Sequence, residues 1–266
     1  MNEGSFCRFG PRPFVLPAID LRGGRVVRLV RGRGDAEIGY DAEPVAAARR
    51  WIDDGGECLH IIDLGSAFGE ADSTDVILAV AREVDVPIQV GGGVRDAARV
   101  EKLLSGGVTR VILGTRALRD PDFLGEMLAT YGAERVVLAM DIADGRVKVS
   151  GWTEESSLDL EGGIRFAVDA GVSQLLMTAI DRDGTLSGPN LELIQTTLDL
   201  AAANGLVVAA AGGIGTTADV SAILELQRPA LEGVVVGRAL YEETVQLGDA
   251  VKVVRDFREK ERPKEP

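Results

Sequence analysis

The chain reads AID at residues 18–20 and GRV at 24–26, and it reads AMD at 139–141 and GRV at 145–147. The two copies are 121 residues apart. The same distance separates Gly92 from Gly213, each in a run of glycines, and Gly114 and Gly237 are 123 residues apart. A repeat of this length predicts two similar halves that together form one fold.

Short apolar stretches alternate with amphipathic ones along the chain. Eight stretches are candidate strands: residues 14–19, 59–62, 86–90, 110–113, 136–139, 174–177, 206–210 and 233–236. Helical patterns start at Pro44 and span about 97–105, 121–131, 158–170, 190–204, 217–226 and 244–259. Most of the strands are continuously apolar, which is typical of a parallel sheet buried on both faces. The sequence therefore predicts an α/β protein, a (β/α)8 TIM barrel built from two (β/α)4 half-barrel repeats.

A doubly wound sheet is the alternative fold, and it would place a glycine-rich phosphate loop after its first strand. Here the glycine runs follow the third and seventh candidate strands, which favours the barrel. We expect a single barrel domain over residues 1–266, with an N-terminal extension at 1–13 and a charged C-terminal tail at about 258–266.

The net charge limits the partners that the protein can have. There are 29 Lys and Arg against 42 Asp and Glu, a formal net charge of −13 and a pI near 4.7. An acidic protein is poorly suited to nucleic-acid phosphates, and no apolar run approaches the ~18 residues that span a bilayer. Residues 1–13 lack the apolar core of a signal peptide. We expect a cytoplasmic protein without nucleic-acid or membrane partners. One stretch differs, because residues 22–33 hold five arginines and no acidic residue.

Glycine-rich turns follow four candidate strands, the third and fourth and then the seventh and eighth. Backbone N–H groups in such turns can bind a phosphate, and phosphate sites after strands seven and eight recur in this fold. Tight turns alone are the alternative, but two matched pairs of turns favour a ligand with a phosphate at each end. The candidate binding residues are Gly92, Gly93, Arg95, Gly114, Thr115, Gly212, Gly213, Gly237 and Arg238.

Carboxylates follow the strands at matching positions. Asp20 ends the first strand and Asp141 ends the fifth, so both are expected at the barrel mouth, where catalytic residues lie in this fold. Two facing carboxylates suggest a general acid and a general base. Asp183 follows the sixth strand in a turn sequence and competes for the acid role, whereas Asp63 is either structural or ligand-positioning.

Other reactive residues are few. His60, the only histidine, lies in a buried strand and is expected to be a satisfied core residue, as is Cys58. Trp152 is expected in the loop after the fifth strand, where it can stack on a planar ring. No cluster has the spacing of a metal site, and Cys7 and Cys58 form no disulfide framework.

Together these motifs resemble the phosphoribosylformimino-aminoimidazole-carboxamide ribotide isomerases of histidine biosynthesis. The resemblance runs over about residues 14–255 and rests on six segments: PAIDL at 17–21, GRVVR at 24–28, GGGVR at 91–95, SGW at 150–152, DGTL at 183–186 and AGGI at 211–214. It implies a half-barrel repeat and an Amadori rearrangement of an aminoaldose to an aminoketose. It also implies a substrate with two phosphoribosyl groups and no metal or cofactor.

The resemblance also implies roles for individual residues. Asp20 matches the proton acceptor and Asp141 the usual proton donor, with Asp183 as an alternative donor. Three further residues match substrate contacts, namely Arg28, Trp152 and, near the reacting ribose, Thr178. Ala179 departs from the pattern, because an acidic residue is expected there.

Three alternative functions stay open at this point. The sister cyclase barrel, which works with a glutaminase, shares the repeat and both aspartates, but the segments at 150–152 and 183–186 fit the isomerase better. A dual-substrate isomerase also acting on phosphoribosylanthranilate is expected to carry an arginine just before Gly-Trp, where Lys148 and Ser150 stand. A non-catalytic phosphosugar-binding barrel would not need all three aspartates. We expect a monomer that binds a small bisphosphate and has no obligate protein partner.

Overall fold

The computed structural model describes residues 9–30, 33–39 and 43–261. Eight parallel strands close into a barrel with helices outside it, which confirms the predicted (β/α)8 fold. Each strand after β1 pairs with the next barrel strand along the chain, and β12 closes the ring against β1. The barrel strands are β1 (Phe14–Arg22), β4 (Leu59–Asp63), β5 (Ile88–Gly91), β6 (Arg110–Leu113), β7 (Val136–Ala143), β10 (Gln174–Ala179), β11 (Val207–Ala211) and β12 (Leu231–Val236).

β1 and β7 run further than the sequence predicts, and each continues into an antiparallel extension. β1 pairs with β2 (Arg25–Val30), which pairs with β3 (Arg33–Gly39). β7 pairs with β8 (Arg146–Val149), which pairs with β9 (Glu154–Asp159). The segments expected as loops after the first and fifth strands are therefore hairpins. The sequence did not predict these strands, because basic residues interrupt their apolar ones, as in RVVRLV at 25–30 and RVKV at 146–149. The two extensions occupy equivalent places in the two halves.

The helices lie outside the barrel. α4 and α6 have the predicted bounds, whereas α3 was not predicted and three short helices follow strands directly. The helices are α1 (Pro44–Asp53), α2 (Leu64–Ala67), α3 (Thr74–Glu83), α4 (Ala97–Ser105), α5 (Thr115–Arg119), α6 (Pro121–Tyr131), α7 (Leu160–Ala170), α8 (Leu191–Ala203), α9 (Thr217–Leu224), α10 (Arg238–Tyr241) and α11 (Leu247–Glu261). Among the described residues, none of these helices has both the length and the apolar character needed to span a membrane.

Alternation along the strands divides the apolar residues into two cores. On β1, Val15 and Ile19 belong to the core between barrel and helices, whereas Phe14, Leu16 and Ala18 belong to the barrel interior. Because successive side chains point to opposite faces of a strand, Asp20 continues the inward-facing row. The strand period thus places this carboxylate inside the mouth of the barrel.

Candidate active site

A cavity of about 670 Å³ opens at the carboxyl ends of the barrel strands. It is lined by most of the predicted site residues: Asp20, Gly92, Gly93, Arg95, Gly114, Thr115, Asp141, Trp152, Thr178, Asp183, Gly212, Gly213, Gly237 and Arg238. The remaining predicted residue, Arg28, has a side chain outside the described part of the structure. One cavity therefore joins both glycine-rich regions to all three aspartates.

The environment of Asp141 changes the pKa of its carboxyl group. Burial raises its pKa, hydrogen bonds with Thr178 and Trp152 lower it, and the charge of Asp183 raises it again, so that the pKa lies above its ordinary value. Thr178 is the direct neighbour of Asp141 across the β7–β10 pairing. A carboxyl group with a raised pKa holds its proton to higher pH, as a general acid requires.

Asp20 occupies the same place in the first half. It lies on β1, paired with Ile62 on one side and with Val27 of the hairpin on the other, and only 6% of its surface is exposed. The match between Asp20 and Asp141 in the sequence repeat is thus a match in space, with both residues on the cavity wall.

Asp183 lies in a turn directly after β10, as its sequence predicted. Its backbone N–H donates to the carbonyls of Ala179 and Ile180 at 3.0 and 3.2 Å, and Gly184 follows with φ +66°. The turn nevertheless lines the cavity. Asp183 is therefore both a turn residue and a third carboxylate of the site.

Close packing explains the glycines of the first half. A Cβ on Gly92 would lie 2.3 Å from the carbonyl oxygen of Asp63, and a Cβ on Gly93 would lie 2.5 Å from the carbonyl of Ser66. Both glycines also have positive φ, at +87° and +62°. Only glycine lets this backbone pass the segment after β4 so closely while it lines the cavity.

The glycines of the second half meet the same requirement with different neighbours. A Cβ on Gly212 would lie 2.6 Å from the carbonyl of Ala179, and one on Gly213 would lie 2.3 Å from the carbonyl of Gly188. Ala179 itself is fully buried. The residue that departs from the expected acidic pattern therefore supports the second glycine loop through its backbone.

Asp63 has a structural place. It is fully buried, its carboxylate accepts from the backbone N–H groups of Ser66 and Ser73 at 3.1 and 2.8 Å, and it pairs with Arg99 at 2.6 Å. Arg99 also donates to the carbonyl of Gly93 at 3.1 Å. The Asp63–Arg99 pair thus holds the first glycine-rich loop in place through the carbonyl of Gly93. Sequence reasoning included Asp63 but missed Arg99, which lies on a later helix.

The turn between β8 and β9 reaches over the cavity. Ser150, Gly151 and Trp152 have successive φ values of +57°, +63° and +72°, a conformation that non-glycine residues rarely adopt. The backbone N–H of Ser150 donates to Thr115 Oγ1 at 2.8 Å, and Arg119 donates to Ser150 Oγ at 3.0 Å. These contacts, with the bond between Trp152 and Asp141, hold the turn against the cavity.

Several lining residues were not found from the sequence, because they lie beyond the strand ends and belong to no motif. They include Leu64, Phe68 and Arg119. Arg22 was part of the arginine-rich stretch, and it is paired with Glu70 at 2.6 Å beside the Phe68 ring. At least one of the five arginines therefore has a structural partner at the rim.

The described residues contain no group of three or more His, Cys, Asp or Glu arranged to hold a metal ion. The polar groups that line the cavity include carboxylates, hydroxyls, arginines, backbone amides and the imidazole of His60.

A sequence profile of the family described as "Histidine biosynthesis protein" matches residues 14–246. The chain belongs to this family.

Three relatives of the family illustrate the similarity, and each is named 1-(5-phosphoribosyl)-5-((5-phosphoribosylamino)methylideneamino)imidazole-4-carboxamide isomerase. The Desulforudis audaxviator protein is 43% identical over 91% of both chains. The Moorella thermoacetica protein is 41% identical over 91% of this chain and 98% of its own. The Thermomicrobium roseum protein is 45% identical over 88% of this chain and 94% of its own. Their names favour neither the cyclase nor the dual-substrate alternative.

Proposed function

We propose that the protein catalyses the isomerisation for which these relatives are named, the aldose–ketose rearrangement of a bis-phosphoribosyl imidazole carboxamide in histidine biosynthesis. The observation that carries the proposal is the pair Asp20 and Asp141, two carboxylates at matched positions of one cavity that has a glycine-rich loop region in each half. The family and the names of the relatives agree with it.

The two glycine-rich regions bind the terminal phosphates of the substrate. In the first half the loop after β5 and the turn after β6 contribute, and in the second half the equivalent segments after β11 and β12 do so. With both ends held, the reacting ribose lies between the carboxylates, and such positioning supplies a large share of the rate. Arg28, Arg95, Trp152 and Arg238 complete the binding residues, with Trp152 stacking on the planar imidazole.

Asp141 begins the reaction as the general acid. It donates its proton to the ring oxygen of the reacting ribose, the bond between that oxygen and C1 breaks, and the nitrogen lone pair on C1 forms a Schiff base. The raised pKa of Asp141 favours this role because a larger fraction of the group is protonated near neutral pH. Thr178 positions the carboxyl group by its hydrogen bond.

Asp20 acts next as the general base. It removes the proton from C2, and the electron pair of the C2–H bond forms the enolamine as the positive charge on nitrogen is neutralised. Tautomerisation of the enolamine gives the ketose. Asp183 is the second candidate for the acid, since it lines the same cavity and its charge acts on Asp141.

We further propose that a single chain suffices for activity. The described lining residues supply carboxylates and loops from both halves of the barrel, so the site needs no residue from another subunit. Light scattering on the active protein tests this, and turnover confined to an oligomer would contradict it.

A spectrophotometric isomerisation assay tests the proposed function. The wild-type protein should turn over the bis-phosphoribosyl substrate and leave phosphoribosylanthranilate unchanged. Asp20→Asn should lower turnover by roughly 10²–10⁴-fold, the usual contribution of a general base, while titration calorimetry still detects substrate binding. Near-normal turnover in this variant would contradict the proposed role of Asp20 as the general base. Turnover of phosphoribosylanthranilate would instead restore the dual-substrate alternative.

A further inference from the structure

His60 is the only histidine of the chain, and it lies where the cavity meets the barrel interior. It is 4% exposed and sits on β4 between Ala18 of β1 and Gln89 of β5. The expectation of a satisfied core histidine is therefore incomplete. The ring is hydrogen-bonded on its interior side, but it also forms part of the wall of the candidate active site.

A buried polar cluster lies in the barrel interior below His60. Arg110 on β6 donates from both terminal nitrogens to Glu232 on β12, at 2.9 and 3.0 Å. Its Nε donates to Gln89 Oε1 at 2.9 Å, and the Phe9 ring covers the guanidinium at 3.7 Å. Arg110 and Glu232 are each no more than 2% exposed. A bidentate pair of this kind fixes the guanidinium plane in one orientation.

The fixed guanidinium determines the orientation of the Gln89 amide. Arginine has only donors, so the Gln89 atom that faces Arg110 Nε must be the oxygen. The amide nitrogen of Gln89 then faces His60 Nδ1, and these two atoms are 2.6 Å apart. Because the amide nitrogen is a donor, Nδ1 must accept.

The protonation state of His60 follows from this contact. A neutral imidazole has one donor nitrogen and one acceptor nitrogen. With Nδ1 as the acceptor, the proton of the neutral ring is on Nε2. A second proton on Nδ1 would bring an Nδ1–H donor against the Gln89 N–H donor, and neither buried donor would then have an acceptor. Among the charged groups around the ring, Arg110 and Glu232 offset each other below it. Asp20, on the interior face of β1 above it, would otherwise favour the imidazolium.

We propose that the Glu232–Arg110–Gln89 chain holds His60 as the neutral Nε2–H tautomer, and that His60 serves as a fixed hydrogen-bond donor to the reacting ribose beside Asp20. His60 then contacts substrate without acting as an acid or a base, while Gln89 and Arg110 are positioning residues. The identity of the ligand rests on the proposed function, whereas the tautomer does not.

The single histidine makes the tautomer directly measurable. Untagged protein labelled with ¹⁵N-histidine gives one imidazole spin system, and long-range ¹H–¹⁵N spectra report the protonation of each ring nitrogen. We expect an unprotonated Nδ1 and a protonated Nε2 with no titration between about pH 5.5 and 8.5, the range in which an ordinary histidine titrates. A protonated Nδ1, or a ring that titrates near its usual pKa, would overturn the proposal.

Two variants of Gln89 test the relay. In Gln89→Glu a carboxylate accepts a hydrogen bond from Nδ1–H and stabilises the protonated ring. The ring should therefore become an imidazolium that titrates above its usual pKa, and the pH profile of turnover should show an additional ionisation. Gln89→Met, of similar volume but without donor or acceptor, controls for packing: it releases Nδ1 without supplying an acceptor, so its ring should become protonated only at lower pH than the Gln89→Glu ring. A Gln89→Glu ring that stays neutral throughout contradicts the relay.

A matched pair of substitutions at His60 tests the donor itself. His60→Gln carries an amide N–H to about the distance of Nε2, whereas His60→Asn carries it only to about that of Nδ1. We expect kcat/KM to fall about tenfold in His60→Asn, the typical effect of one lost hydrogen bond, and less in His60→Gln. Equal losses would overturn the donor role. If the wild-type protein lacks isomerase activity, the proposed function fails while the spectroscopic result still stands.

Discussion

The two halves of the barrel support equivalent glycine loops by different means. Asp63 pairs with Leu21 across the first sheet junction, and Ala179 pairs with Ile142, which is 121 residues after Leu21, so Asp63 and Ala179 occupy the same structural position. In the first half the buried Asp63–Arg99 pair fixes the loop. In the second half Ala179 offers only its backbone.

A second difference lies at the helix that follows each loop. Asp96 caps α4 and Thr216 caps α9, and three residues further on stand Arg99 and Asp219. The carboxylate of Asp219 accepts from the N–H groups of Gly215 and Thr216 at 2.9 and 2.8 Å. The first half therefore uses a buried ion pair where the second half uses a capping box. The loop backbone is therefore the feature that repeats, whereas the side chains that hold it differ between the halves.

The largest expected effect concerns the carboxylates of the second half. Asp141→Asn removes the proposed acid and should lower turnover by roughly 10²–10⁴-fold. Asp183→Asn should cost less, because it removes only a neighbouring charge that raises the pKa of Asp141. Steady-state assays of both variants give the comparison. If Asp183→Asn lowers turnover more than Asp141→Asn does, Asp183 is the acid. Asp20 and Asp141 are then not the acid–base pair.

Breaking the Asp63–Arg99 ion pair of the first half should give the next largest effect, a loss of stability. Arg99→Met leaves Asp63 buried without its counter-ion, and breaking a buried pair in this way costs about 3–5 kcal/mol in the free energy of unfolding. In the second half, Asp219→Ala leaves the cap residue Thr216 but removes the other member of the capping box, at a cost of about 1 kcal/mol. Urea unfolding curves, each fitted for its midpoint and slope, give the free energy of unfolding of both variants. Similar losses in the two variants would show that the ion pair contributes no more than the cap.

Exchanging the supports between the halves gives a sharper test. Ala179→Asp places a buried carboxyl in the half where Asp219, not an arginine, stands at the position equivalent to Arg99, and should destabilise the protein by about 2–3 kcal/mol. Adding Asp219→Arg recreates the residue types of the first half and should recover at least about 1 kcal/mol, measured as the coupling in a double-mutant cycle. Additive losses would mean that the two loop regions differ in backbone as well as in side chains.

The smallest expected effect is a gain. The folded protein raises the pKa of Asp141, so the ionised group destabilises the fold at pH 7 and contributes nothing below about pH 4, where the group is protonated in both states. Asp141→Asn should therefore raise the free energy of unfolding at pH 7 by about 0.5–2 kcal/mol, as at other active sites that sacrifice stability. The same unfolding experiment at pH 3.5 is the control, and an equal gain there contradicts the role of ionisation.

Much of the site could be predicted because it depends on strand order. Asp20 and Asp141 lie at strand ends, and the parallel arrangement brings all such ends to one mouth. Arg99 could not be found in this way, since its partner Asp63 is 36 residues away and no motif joins them. The hairpin β8–β9 was also missed, because polar strands paired outside the barrel lack the apolar pattern of buried ones.

The barrel, its repeat and the positions of its three aspartates follow from the sequence, because they depend on spacing and on the two-residue period of a strand. The state of His60 follows only from the folded structure. Its tautomer depends on Arg110 and Glu232, which are 122 residues apart in sequence and meet only when the barrel closes. Side-chain protonation is set by neighbours in space, and in a closed barrel those neighbours come from strands far apart in the chain.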